Sequence, residues 1–97
     1  MDYEIRSEKL QLLSTGLGDN KYPSGIGKIF RRRIQTIEGA PDERTFRQLK
    51  ALHFEKLQGA RSHQWSMRLN KQYRLIIEIE KRPGGNKINI MNIGDYH

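Results

Sequence analysis

Arg68 and Arg74, six residues apart, and the closing run Asp95-Tyr96-His97 are the residues of this sequence that could act together on a phosphate ester. Guanidinium forks match phosphate oxygens and stay charged at any working pH. Aspartate, tyrosine and histidine are proton-transfer groups, and of the three types only histidine titrates near neutrality when unperturbed. Metal-free cleavage of RNA has three needs that such a set could meet. The 2′-hydroxyl must be deprotonated, charge on the penta-coordinate phosphorus stabilised, and the departing 5′-oxygen protonated. The arginines suit the second task. Tyr96 could instead stack on a base or orient the phosphate. Each residue also has a plainer reading: Asp95 as a turn residue after Gly94, His97 as a frayed end, and the arginines as solvated strand charges.

Other chemistries find less support. There is no cysteine, so thiolate nucleophiles, thiolate metal sites and disulfides are excluded. His53, His63 and His97 make no helix-spaced ligand pair and the carboxylates do not cluster, so no metal or other cofactor is expected. The segments around Gly16-Leu17-Gly18 and Gly25-Ile26-Gly27 lack the lysine–hydroxyl ending of a phosphate loop.

The elements that must carry the arginines can be read from periodicity. After an extended start at Tyr3 to Arg6, Leu10, Leu12, Leu13 and Leu17 suggest a short helix, and Asn20 to Gly25 form a loop. Ile26, Ile29, Phe30, Ile34 and Ile37 recur at helical spacing, with Ser24 as N-cap and Gly39 followed by Pro41 as the stop. Asp42 caps a further short helix that carries Phe46 and Leu49 inward. The second half changes period. Trp65, Met67 and Leu69, then Tyr73, Leu75, Ile77 and Ile79, alternate with polar positions as strands do. Asn70-Lys71-Gln72 and Arg82-Pro83-Gly84-Gly85-Asn86 are the turns, and Lys87 to Ile93 is a third strand. One α+β domain over residues 1–97 follows, with N-terminal helices packed on an antiparallel meander.

Parity then gives a register. A three-residue turn pairs Leu69 with Tyr73, Met67 with Leu75 and Trp65 with Ile77, and sets Arg68 opposite Arg74 on the other face. Like charges directly opposite destabilise a sheet unless they share an anion. If Ile79 pairs with Ile88 and Ile77 with Ile90, then Asn89, Met91 and Ile93 join the arginine face. Extended backbone would bring Asp95 and His97 there too, with Tyr96 opposite, unless Gly94 breaks the alternation. Trp65 and Tyr73 lie on the apolar face and read as core rather than as stacking platforms.

Eighteen Lys+Arg against eleven Asp+Glu give a formal charge of +7, which favours a polyanionic partner by counterion release. Seven of the acids fall in residues 1–50 and four in 51–97, so the second half is the more one-sided. Lys28, Arg31, Arg32 and Arg33 form a basic helix face. It could be merely solvated, an RNA contact or the landing site of a protein partner, and RNA is ranked first on charge density. Arg61 and Lys71 join Lys28, Arg31 and Arg32 as candidate RNA contacts. The opening residues carry neither the basic nor the apolar region of a signal peptide. No stretch approaches the roughly 18 apolar residues of a membrane span. A cytoplasmic protein is expected.

Lys56-Leu57-Gln58-Gly59-Ala60-Arg61, Trp65-Ser66-Met67-Arg68-Leu69-Asn70-Lys71-Gln72-Tyr73-Arg74 and Asp95-Tyr96-His97 together resemble the HigB toxins of the RelE/ParE superfamily. The shared pattern is a "KL.G" turn, a "WS.R.N.QYR" hairpin and a final "DYH", and it spans roughly the last 45 residues. The resemblance implies a RelE-like fold and ribosome-dependent, metal-independent endonuclease activity on translated mRNA. It also implies the 30S decoding site as the place of action and a HigA-like helix-turn-helix antitoxin, in a hetero-oligomer that binds DNA through the antitoxin. It points to Arg68, Arg74, Asp95, Tyr96 and His97 as the site. Some relatives carry a histidine two residues before the leucine of the turn, where this sequence has Glu55. His53 lies two residues further back and would share Glu55's face on a strand, so both are weaker candidates and the acid and base stay unassigned. His63 has no evident role. Two other readings remain open: a ParE-like toxin that inhibits DNA gyrase without cleaving anything, and a nucleic-acid-binding module without catalysis.

Overall fold

The computed structural model describes residues 1–95. Among them five strands form one sheet, in the order β1-β5-β4-β3-β2. The strands are β1 (Asp2–Ile5), β2 (Glu55–Lys56), β3 (Gln64–Arg68), β4 (Tyr73–Glu80) and β5 (Lys87–Asp95). The helices are α1 (Glu8–Ser14), α2 (Ile26–Gly39) and α3 (Arg44–Gln48). The expected α+β layout is therefore present. The three-strand meander is its centre, extended by β2 antiparallel at one edge and by β1 parallel to β5 at the other.

Each helix has a local cause. Ser7 caps α1 by accepting the Leu10 N–H at 3.3 Å, and Glu8 in the first turn suits the positive end of the helix dipole. At α2 the expected Ser24 cap is not formed. Gly25 occupies the cap position with φ 87°, a left-handed conformation that glycine adopts without steric penalty. From there Ile26, Phe30, Ile34 and Ile37 run down one buried stripe. At α3 the cap position is held by Glu43, without a side-chain cap, rather than by the expected Asp42; the Asp42 carboxylate, one residue earlier, accepts the backbone N–H of Arg44 at 2.9 Å. Phe46 is buried, but Leu49 is exposed, because the backbone turns extended at Leu49 and ends the helix before that side chain can point inward.

The core lies between α1 and α2 on one side and one face of the sheet on the other. Leu10, Leu13, Ile26, Phe30, Ile34 and Ile37 meet Met67, Leu69, Leu75, Ile77, Ile88 and Ile90. Among the described residues no helix packs the opposite face in the same way, and we call that the open face, although Ser66 and Ile76 on it are wholly buried. Trp65 belongs to the core side. Its ring stacks on Phe54 with centroids 4.7 Å apart, and Phe46 meets Phe54 edge-on at 5.5 Å.

The register of β3 on β4 is the one parity gives: Trp65 opposite Ile77, Met67 opposite Leu75, Arg68 opposite Arg74. Asn70 closes that turn, its side-chain oxygen accepting the N–H groups of Gln72 and Tyr73 at 2.8 and 2.7 Å. Between β4 and β5 the pairs Ile79–Ile88 and Ile77–Ile90 also occur, but the next pair is Ile76 with Asn92. Met91 is thus the extra residue of a β-bulge, and every later residue of β5 changes face. Ile93 pairs with Leu75 and joins the core, Gly94 falls opposite Arg74, and Asp95 falls opposite Tyr73. The expectation that Ile93 and Asp95 share the arginine face is corrected by that one residue. The shift comes at Met91, ahead of Gly94, where the break had been allowed for.

Candidate functional site

Arg68 ends β3 and Arg74 begins β4, so the turn closed by Asn70 brings them together on the open face. Each guanidinium is held by neutral acceptors. Arg68 Nε donates to the Asn70 carbonyl at 3.2 Å, and its Nη1 lies 3.3 Å from His53 Nε2. A guanidinium has no lone pair to offer, so this contact is a hydrogen bond only if His53 Nε2 accepts, which places the ring proton on Nδ1. Arg74 Nε donates to Ser66 Oγ at 2.8 Å, and Arg74 Nη2 donates to the His53 carbonyl. Among the described residues neither arginine has a carboxylate partner. Two opposed cations without a counterion are a destabilising pair that an anion would relieve.

His53 holds the arrangement together, and it is not on a strand. It follows a 3-10 turn over Lys50–Leu52 and has φ 43° and ψ 53°, the one left-handed non-glycine residue among those described. The packing on either side explains this. Leu52 is buried and Phe54 lies flat on Trp65, and the chain reverses between these two anchors. A side chain in that conformation costs roughly 1–2 kcal/mol relative to ordinary backbone. The result is that one residue presents its ring to Arg68 and its carbonyl to Arg74. Glu55 pairs with Ser66 and so shares the open face with both arginines, exposed at the edge of the sheet.

Ser66 was not a candidate from the sequence. It is fully buried although it belongs to the open face, and its hydroxyl accepts from Arg74. A small hydroxyl two positions before Arg68 on the same strand face was the signal that could have found it.

The remaining candidates are dispersed. Asp95 lies opposite Tyr73 and accepts from Gln72 Nε2 at 3.1 Å, across the turn from the arginines. Tyr96 and His97 lie outside the described residues. Lys28, Arg32 and Lys71 are exposed. Arg31 is engaged in the structure, binding the Asp19 carboxylate with both terminal nitrogens and the Leu13 carbonyl at 2.9 Å. That partnership lowers the pKa of Asp19 and raises that of Arg31. Arg33 donates to the Arg68 carbonyl at 3.0 Å and ties α2 to the end of β3. Burial, and secondarily Arg32, lower its pKa. Arg61 donates to Gln64 Oε1 at 3.1 Å, and His63 lies 3.5 Å from Glu78.

Neither arginine lines the concavity farther along β4 and β5. That concavity, about 420 Å³, is lined by Arg6, Glu78, Ile79, Glu80, Asn89 and Met91. Nor do the described residues include any group of three His, Cys, Asp or Glu side chains placed to hold a metal. No helix among them is long and apolar enough to cross a membrane.

The sequence matches a family model described as the RelE-like toxin of type II toxin-antitoxin system HigB, over residues 8–97. The chain belongs to this family. The match takes in α1 and α2 as well as the hairpin motif, so the family likeness is not confined to the second half. As a type II toxin of this family, the protein is expected to pair with an antitoxin. Among solved structures, a YoeB/ParE toxin from Agrobacterium tumefaciens superposes with a TM-score of 0.61 at 10% identity, covering 100% of both chains. At that identity the likeness is one of fold. A comparison with curated proteins finds no match.

Proposed function

We propose that this toxin cleaves translated mRNA on the ribosome and so stops translation, without a metal cofactor, and that its site is the open-face cluster of Arg68, Arg74 and His53. The observation that carries the reading is the arginine pair itself, set opposite across two strands, with no carboxylate partner among the described residues and with an imidazole touching one of them. The 2′-hydroxyl would attack the adjacent phosphorus and give its proton to a base. The charge gathered on the non-bridging oxygens would lie between the two guanidiniums. The 5′-oxygen would leave with a proton from an acid, giving a 2′,3′-cyclic phosphate and a free 5′-hydroxyl. His53 is the best-placed described group for one proton transfer. Tyr96 and His97 are the candidates for the other and Glu55 stands at the rim, whereas Asp95, opposite Tyr73, falls on the other face of the sheet.

Positioning can supply several kcal/mol of a barrier, and a ribosome holding mRNA in the 30S decoding site would provide it. Lys28, Arg32, Arg61 and Lys71 are the cations proposed to meet RNA. A HigA-like antitoxin in a hetero-oligomer and action in the cytoplasm complete the reading.

The test is cleavage by the purified chain of an mRNA bound to 70S ribosomes, compared with the same RNA free. Ribosome-dependent cutting with a cyclic phosphate end is expected, abolished by a 2′-deoxy substitution at the cut nucleotide. Cutting that survives the 2′-deoxy substitution would overturn the mechanism. No cutting, with loss of gyrase supercoiling instead, would move the ParE-like reading to the front.

A further inference from the structure

Arg74 is fixed along one whole edge. Nε binds Ser66 Oγ at 2.8 Å and Nη2 binds the His53 carbonyl, which together occupy the side-on fork of the guanidinium. What remains for a ligand is the end-on fork formed by Nη1 and the second Nη2 hydrogen. Left to rotate, Arg74 would swing away from Arg68, because like charges repel and an exposed arginine has many rotamers. Something must hold it, and Ser66 is the one holder that is wholly buried. A buried hydroxyl needs a polar partner, and here that partner is the guanidinium.

We infer that Ser66 is a positioning residue, whose hydroxyl holds Arg74 so that its end-on fork and Arg68 present one phosphate site on the open face. Ser66 does not touch the substrate. It acts through Arg74, and its removal leaves the arginine present but loosely aimed. The cleavage arm of this inference rests on the proposed function, whereas the anion-binding arm does not.

Ser66→Ala removes the oxygen and little volume, so the variant should fold, with a melting temperature within a few degrees of the wild type. Ser66→Thr restores the oxygen. Ser66→Cys, whose sulfur is a poor acceptor, replaces the alanine variant if that one does not fold. Two readouts are needed. The first is NMR of the 15N-labelled chain. The Arg74 Nε–H should exchange slowly with water in the wild type, fast in Ser66→Ala and slowly again in Ser66→Thr. Added inorganic phosphate should shift it in the wild type and much less in Ser66→Ala. The second is cleavage of ribosome-bound mRNA at saturating ribosomes. The rate should fall roughly 10–100-fold in Ser66→Ala, with affinity for the programmed ribosome nearly unchanged and partial rescue in Ser66→Thr. An unaltered Arg74 Nε–H, or an equal phosphate response in Ser66→Ala, overturns the inference whether or not the chain cleaves RNA. Wild-type cleavage that survives undiminished in Ser66→Ala overturns it as well. A wild type that does not cleave at all counts against the proposed function alone, and the phosphate titration then decides the role of Ser66.

Discussion

At the scale of single residues the account rests on Arg68, Arg74 and His53. Removing one preorganised donor to a developing oxyanion typically lowers a rate by roughly 10²–10³-fold. Arg68→Ala and Arg74→Ala should each do so in the ribosome assay while keeping the fold, since both are partly exposed and lie off the core face. A loss of near-ultraviolet circular dichroism in either variant would contradict that. His53 can be dissected further, because its ring and its backbone act on different arginines. His53→Gly deletes the ring and relieves the left-handed backbone, whereas His53→Ala deletes the ring and keeps the steric penalty. The glycine variant should therefore melt above the alanine variant, although both lose cleavage. Equal melting temperatures would mean that the φ of 43° carries no strain. The arginines could be found from the sequence because strand parity needs only the count of residues in the turn. Ser66 and the conformation of His53 could not. One depends on burial of the open face, the other on how Leu52 and Phe54 anchor the chain, and both are tertiary facts.

At the scale of elements the same contrast holds. Buried stripes at helical or strand spacing foretold α2, β3 and β4, since apolar periodicity is the direct trace of a buried face. The short elements were harder. Leu49 follows the apolar spacing of α3 and yet is exposed, because the helix ends one residue before it. The extended start read at Tyr3 to Arg6 is β1, but β2 has two residues, too few for a period to emerge. The bulge at Met91 left no local signal and moved Asp95 across the sheet. Two measurements test the elements. Phe30 is wholly buried on α2, and Phe30→Ala should destabilise the protein by about 3–5 kcal/mol in urea unfolding; a change near zero would mean that α2 does not pack as described. The Asp42 carboxyl is lowered to about 2 by hydrogen bonds from the Arg44 side chain and backbone. A depressed acid contributes stability above the ordinary carboxylate range and loses it as pH falls through its folded value. The Asp42 carboxyl carbon should accordingly titrate near pH 2 in NMR, and α3 should fray below that. A midpoint close to 4 would show that the Arg44 contacts are absent in solution.

At the scale of the whole molecule, the layout separates stability from chemistry. The helices and one sheet face make the core, and the other face carries the arginine cluster beside the buried Ile76. A formal charge of +7 suits a partner made of RNA, and binding to programmed ribosomes should weaken steeply with added salt as released counterions lose their advantage. Affinity that does not change between low and high salt would point to a protein surface instead. Arg31 and Arg33 should contribute less to that slope than Lys28 and Arg32, because the first two are engaged within the molecule. The central claim, that the open face cuts mRNA under translation, is tested most directly in growing cells. Wild type and the Arg68→Ala, Arg74→Ala double variant would be induced briefly, and mRNA 5′ ends mapped across the transcriptome. New ends inside reading frames, recurring at codon spacing, are expected for the wild type and none for the double variant. Growth arrest by the wild type with no new ends, or the same ends from the double variant, would contradict it.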